Sequence, residues 1–240
     1  MVYKYCENEN FEDFASGKVI IHRTGYPNFP VRLAQEIFGR CLSLLDSQGS
    51  ICLYDPCCGG GYLLTVLGFL NFEKIGRIMA SDVDGGALAL ADANLSLLDR
   101  EGLEERIRQL NRLRLLHHRQ SHAEALGSAE NLLKRISRPA GEHEIAHKVF
   151  QTDILSPRPL EGQDFQADIV LTDVPYGNLV KWRSEHGDGV NFLDQLLPVL
   201  TDRSVVAVCS DKAQKFGSSH FRRVEKQIVG KRCFQIFRLA

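Results

Sequence analysis

The chain has 240 residues, 44% hydrophobic and 25% charged, with a net charge of −1. That length buries a sizeable core, and the composition excludes a disordered or fibrous chain. The near-zero charge excludes a globally basic nucleic-acid surface, so any such contact has to be a local patch.

No apolar run is long enough to span a bilayer, and no basic segment precedes an apolar N-terminal one. No membrane association and no secretory leader are therefore expected. The seven cysteines (Cys6, Cys41, Cys52, Cys57, Cys58, Cys209 and Cys233) are odd in number and share no repeated spacing. They read as reduced thiols of a cytoplasmic protein. Cys57 and Cys58 are adjacent, which does not fit the C-x₂₋₄-C spacing of a metal site, so no metal is expected.

In chain order, residues 1–17 form a polar, acidic arm. Residues 18–22 (Lys-Val-Ile-Ile-His) predict a short strand, followed by the turn-rich run Thr24-Gly25-Tyr26-Pro27-Asn28-Phe29-Pro30. Pro30 suits a helix start. Leu33, Ile37, Phe38, Cys41, Leu44 and Leu45 then fall on one helical face. Residues 50–54 read as a buried strand stopping at Asp55-Pro56, and 62–69 as a helix. Residues 77–81 read as a second strand ending at Asp82, and 87–98 as a second helix. This alternation predicts a doubly wound, mostly parallel α/β sheet.

Residues 99–148 break the rhythm and predict a helical insertion within a single domain spanning 1–240. Leu103, Ile107, Leu110 and Leu113 keep an apolar stripe, with Arg108 and Arg112 off it. From Arg100 to Arg138 there are nine Lys/Arg against five Glu. Either the insertion presents a solvated face laced with ion pairs, or it presents a patch to RNA. The alternation then resumes. Strands are predicted at 148–152 ending at Asp153, at 167–172 ending at Asp173, and at 205–209. A helix is predicted at 191–197, and an antiparallel strand pair at 221–229 and 232–238 closes the fold.

Two motifs carry the chemistry. The first is Tyr54-Asp55-Pro56-Cys57-Cys58-Gly59-Gly60-Gly61-Tyr62, at a strand end where open α/β sheets bind ligands. Gly59 and Gly61 let backbone approach a ligand, and a helix N-terminus follows. A dinucleotide site would have glycine at position 64, where this chain has Leu64. An acidic residue precedes the glycines instead. That order suits S-adenosylmethionine, with Asp55 for its ammonium, Asp82 for the ribose hydroxyls and Asp153 for the adenine amino group. Cys57 and Tyr62 complete the loop. Asp84 is either a further contact or a charge at a helix start.

The second motif is Thr172-Asp173-Val174-Pro175-Tyr176-Gly177. An amine on a planar base is a poor nucleophile, because its lone pair is delocalised into the ring. The Asp173 carboxylate and the Val174 carbonyl are placed to accept from its hydrogens and aim that pair. Pro175 stiffens the loop and Tyr176 stacks on the ring. The more ordinary roles are a turn cap for Asp173 and an aromatic lid for Tyr176.

Together these residues resemble the class I S-adenosylmethionine-dependent amino-methyltransferases. More narrowly they resemble the avilamycin-resistance 23S rRNA guanine methyltransferase family. The likeness runs through Gly25-Tyr26-Pro27, Phe29-Pro30-Val31-Arg32-Leu33-Ala34, the glycine motif through Gly68, Ala80-Ser81-Asp82-Val83-Asp84, and residues 170–177. It implies a Rossmann-like fold, S-adenosylmethionine as donor and S-adenosylhomocysteine as product. It also implies 23S rRNA or a large-subunit precursor as partner, no obligate protein partner, and antibiotic resistance as a biological role. Asp55, Gly59, Gly61, Asp82 and Asp153 would hold the donor, and Asp173 and Tyr176 the base. The segment carrying Arg32 would close over the methionine end, with Arg32 either pairing to a carboxylate or phosphate or serving as an ordinary helix-surface charge. Val174 replaces the proline of the wider motif, but its carbonyl still accepts. The alternatives are N-methylation of another RNA, a small molecule or a protein, and a non-catalytic nucleotide-binding module on the same fold.

Overall fold

The structure is a computed structural model. It describes residues 1–26, 28–45, 49–137, 143–174 and 191–240. Seven strands form one sheet: β1 (Ile51–Asp55), β2 (Ile75–Asp82), β3 (Ala146–Gln151), β4 (Ala167–Asp173), β5 (Leu200–Asp211), β6 (Phe221–Val229) and β7 (Arg232–Leu239). Their order is β3-β2-β1-β4-β5-β7-β6. The first five pair in parallel, and β7 pairs antiparallel with both β5 and β6. The winding therefore reverses between β1 and β4. The crevice beyond their carboxyl ends is where such a sheet receives ligands.

The central strands are nearly continuous runs of apolar residues because both faces are covered. Leu53, Ile78, Ile169, Leu171 and Ala207 point into one core. Helices α1 (Val31–Leu44), α2 (Tyr62–Leu70), α3 (Gly85–Leu95), α4 (Arg100–His117) and α5 (Gln120–Ile136) contribute buried residues to that core. Tyr54, Met79, Val170 and Val206 point into a second core with Phe165, Phe192 and Leu193. The last two lie on the short α6 (Phe192–Gln195). The helix expected over 191–197 is split. α6 gives way to a 3-10 turn at Leu197–Val199, where Pro198 has no N–H to continue an α-helix.

The strand expected at 18–22 does not form. Val19 and Ile20 are fully buried, but side chains satisfy the backbone there. Asn94 accepts the Ile21 N–H at 2.8 Å and donates to the Ile21 carbonyl at 3.0 Å. Arg106 donates to the carbonyls of Val19 and Lys18. A segment so paired has no need of a sheet partner. In the insertion, Leu103 and Leu110 are buried, and Arg100–Glu104 and Glu105–Arg108 form exposed ion pairs.

Candidate active site

Four of the five parallel strands end on aspartate: Asp55, Asp82, Asp173 and Asp211. Asp55 and Asp173 flank the reversal. Asp55 is 2% exposed and its Oδ1 accepts the Cys57 N–H at 2.9 Å. Burial pushes its carboxyl from an ordinary 3.8 up to about 7, and the like charges of Asp82 and Asp173 add to the effect. Burial likewise pushes Asp173 up to about 7, opposed by the Arg232 guanidinium. Asp173 Oδ1 is buried with no hydrogen-bond partner among the described residues. A buried carboxylate oxygen with nothing to accept is costly, so its lone pairs are reserved for something. The Val174 N–H donates to the Cys209 carbonyl at 2.9 Å, fixing where the chain leaves β4. Pro175 and Tyr176 lie outside the described residues.

The glycine loop is tied to β2. The Gly59 N–H donates to Asp82 Oδ2 at 2.8 Å, and the Cys58 N–H to the Ser81 carbonyl at 2.9 Å. Asp82 Oδ1 accepts the Asp84 N–H at 2.9 Å, so each Asp82 oxygen holds one backbone donor and keeps a further acceptor site. Gly61 caps α2 with φ +74°, and a Cβ there would lie 2.9 Å from Ala91 Cα. Only glycine permits that approach of loop and helix. Asn94, besides holding Ile21, donates to the Gly60 carbonyl at 2.8 Å. Burial and the neighbouring Asp55 and Asp82 push the Cys57 and Cys58 thiols well up, so both stay protonated. Among the described residues, no cluster of three or more His, Cys, Asp or Glu could hold a metal ion.

The remaining sequence candidates are placed as follows. Asp84 caps α3 through the Gly86 N–H at 2.8 Å and accepts the Tyr26 hydroxyl at 2.6 Å. Asp153 lies two residues beyond β3, accepts the Leu155 N–H at 2.9 Å, and is close enough to help raise the Cys57 thiol. The Tyr62 hydroxyl donates to the Phe14 carbonyl at 2.8 Å. Arg32 lies 4.1 Å from the centre of the Tyr3 ring, against the N-terminal arm.

Two residues that the sequence did not single out belong to this neighbourhood. Asn94 staples the glycine loop to residue 21. Arg232 opens β7, directly opposite Asp211, at the end of the sheet where the parallel strands stop. Its guanidinium lies 5.5 Å from the centre of the buried Phe29 ring. Phe29 belongs to the same segment as Tyr26, whose ring passes 3.7 Å from the position a Gly59 Cβ would take. Tyr26 therefore lies against the glycine loop and Phe29 against the C-terminal hairpin.

A family model described as rRNA methyltransferase AviRa matches residues 1–232. The chain belongs to the AviRa rRNA methyltransferase family. It is 36% identical over 238 residues to the 23S rRNA (guanine(2535)-N(1))-methyltransferase of Streptomyces viridochromogenes, covering 98% of this chain and 94% of the relative. The solved AviRa structure from the same organism at 1.5 Å superposes with a TM-score of 0.84 at 34% identity, covering 97% of this chain and 94% of that one. TrmN from Thermus thermophilus shares the fold at 16% identity, with a TM-score of 0.52 over 90% of this chain and 51% of that one.

Proposed function

We propose that this chain transfers a methyl group from S-adenosylmethionine to ring nitrogen N1 of a guanine in 23S rRNA. The observation that carries the proposal is the pair of buried carboxylates, Asp55 and Asp173, one on each side of the sheet reversal. The first sits beside a glycine loop and the second has an oxygen held open. The reaction named for the 36%-identical relative supplies the acceptor and the atom.

The residues present fit the donor. A carboxylate pushed up to about 7 by burial gains most from a cation, and Asp55 suits the methionine ammonium. Gly59 and Gly61 allow backbone contact. The remaining lone pairs of Asp82 suit the ribose hydroxyls, and Asp153 beside Cys57 suits the adenine amino group. When bound, S-adenosylmethionine supplies an electrophilic methyl group on a sulfonium. Asp84 and Tyr26 act together by holding the Tyr26 ring against the glycine loop.

N1 changes the task at Asp173. An exocyclic amine needs only to be aimed, whereas ring N1 of guanine carries a proton and has no in-plane pair until that proton leaves. A carboxylate whose affinity for protons matches neutral pH is suited to take it. Among the described residues, the charged and titratable groups that act on or feel Asp173 include Arg232 on β7, Asp55 on β1 and Cys209 on β5. The adjacent Val174 carbonyl suits the neighbouring 2-amino group, which keeps the amine-holding role read from the motif. Tyr176 retains its stacking role as part of the same proposal.

The test is incubation with methyl-labelled S-adenosylmethionine and, separately, 23S rRNA, large ribosomal subunits, DNA and small amines. Nucleoside mass spectrometry of the labelled product is expected to show 1-methylguanosine from 23S rRNA. Label confined to small molecules, or to another nucleoside, would reject the proposal.

A further inference from the structure

We propose that the tip of the α4–α5 hairpin is a docking site for the target RNA. Arg112, Arg114 and Arg119 grip its phosphate backbone, and Leu115 and Leu116 pack against its sugars and bases. This rests on the reading of the acceptor as 23S rRNA. The insertion divides into two halves. Near its base Arg100 pairs with Glu104 and Arg108 with Glu105, as on a solvated helix. From Arg106 to Ala123 the sequence holds five arginines, three histidines and no acidic residue, in a chain whose net charge is −1. Two of those arginines are engaged within the chain, Arg106 with the Val19 and Lys18 carbonyls and Arg108 with Glu105. Arg112, Arg114 and Arg119 are exposed, and Arg114 and Arg119 have no ion pair among the described residues. The rest of the chain is net acidic, so a polyanion is drawn to a local patch such as this one.

Folding does not account for these residues. Arg119 is the N-cap of α5, its side chain caps nothing, and the first turn of α5 carries no acidic residue. A cation at a helix N-terminus opposes the helix dipole, and a missing cap forfeits a hydrogen bond. Leu115 and Leu116 are 65% and 73% exposed, among the most exposed large apolar side chains described. Arg112 precedes them by three and four residues, so the three share a helix face. His118 closes α4 in the left-handed region with φ +49°, and α5 begins at Gln120. The turn is therefore only His118 and Arg119, and the tip has its shape before RNA arrives. Guanidinium groups suit phosphate oxygens, and apolar side chains beside them suit the splayed sugars and bases of a loop or bulge. The occupant is thus an irregular stretch of RNA. Arg106 anchors α4 to the segment whose Ile21 shares Asn94 with the glycine loop. His117 lies about 16 Å farther along the helix, at roughly 1.5 Å per residue. The tip holds no residue of the Asp55–Asp173 crevice, so it supplies affinity and not chemistry.

Filter binding to 23S rRNA over a salt series, steady-state methylation, S-adenosylmethionine affinity and thermal denaturation test this together. They are measured for the wild type, the triple variant Arg112→Gln/Arg114→Gln/Arg119→Gln and the double variant Leu115→Ser/Leu116→Ser. The triple variant is expected to bind RNA at least about tenfold more weakly, with a log Kd against log salt slope shallower by about 2–3. KM for RNA should rise with it, while kcat, cofactor affinity and Tm stay at wild-type values. The double variant should bind roughly tenfold more weakly at an unchanged slope. Wild-type affinity and slope in the triple variant would overturn the proposal. So would loss of binding to anionic lipid vesicles with RNA binding intact, which would assign the tip to a membrane surface instead. A wild type and a triple variant that form 1-methylguanosine equally well at limiting RNA remove this proposal alone. A wild type whose RNA affinity depends on the three arginines, but which forms no 1-methylguanosine, removes the reaction assigned above and leaves the docking site standing.

Discussion

Asp55 and Asp173 end adjacent strands on the two sides of the point where the sheet reverses, and burial pushes both carboxyls up to about 7. Each holds a proton in the folded chain that it would release in the unfolded one near neutral pH. A raised carboxyl contributes stability that is full below about pH 4 and is lost as the pH rises through about 7. The ligand-free protein is therefore expected to lose stability across that window. Asp55→Asn should remove this pH dependence and, with it, the cost of the buried charge, making the ligand-free protein more stable than wild type at pH 8, by on the order of 2 kcal/mol. Its Oδ1 can still accept the Cys57 N–H. Thermal denaturation from pH 4 to 8 checks this, and a variant less stable than wild type at pH 8 would contradict it.

The same carboxylate should make cofactor binding depend on pH. If Asp55 receives the methionine ammonium, binding S-adenosylmethionine displaces its proton below about pH 7. Affinity should fall roughly tenfold per pH step below that value, and Asp55→Asn should bind weakly at every pH. Calorimetry in buffers of different ionisation enthalpy would detect the released proton. Binding of wild-type strength by Asp55→Asn would remove Asp55 from the cofactor site.

Asp173→Ala separates chemistry from binding. Activity of the wild type should rise with pH through about 7 and then level off, because the base must be ionised. Asp173→Ala should lose about 10²–10⁴-fold in kcat while keeping most cofactor affinity. Near-normal turnover by this variant would end the proposed role of Asp173.

Much of this was legible in the sequence because the relevant patterns are local. Uninterrupted apolar runs such as Val205–Cys209 read as strands covered on both faces. Aspartates at the predicted strand ends, with glycines after the first, placed Asp55, Asp82 and Asp173 at one edge before any strand order was known. The segment 18–22 departs from the strand expected of it although Val19 and Ile20 carry the composition of a strand. What decides their conformation is a pair of side chains 73 to 88 residues away, Asn94 and Arg106. The place of Arg232 is hidden from the sequence for a related reason. An arginine opening a predicted strand is unremarkable until the antiparallel register sets it opposite Asp211. Asp84 could be read as a ligand or as a helix charge, and the Gly86 N–H and Tyr26 hydroxyl show both of its oxygens engaged.

Gly61→Ala tests the cradle itself. The residue has φ +74°, and its missing Cβ would press on the backbone of Ala91. An added methyl has to adopt a left-handed conformation and push α3 away, at a cost of about 2 kcal/mol or more. Chemical denaturation should show that loss, and cofactor affinity should fall with it. A stable Gly61→Ala with normal affinity would mean that loop and helix separate easily.

Asn94 gives the prediction least visible from sequence. It is 1% exposed and makes three hydrogen bonds, two to Ile21 and one to the Gly60 carbonyl. Removing the amide leaves an N–H and two carbonyls in an apolar setting, where each unsatisfied group costs about 1–3 kcal/mol. Asn94→Ala is expected to destabilise the fold by about 3 kcal/mol. Asn94→Asp should do no better, because a carboxylate accepts the Ile21 N–H but cannot donate to either carbonyl. The glycine loop and the segment leading to Tyr26 share this amide, so both variants should also weaken cofactor binding with Asp55 and Asp173 intact. Hydrogen exchange offers the direct measurement. Faster exchange at Ile21 and around Gly60 is expected together, since one side chain holds both, whereas faster exchange at Ile21 alone would show that the glycine loop keeps its shape without Asn94.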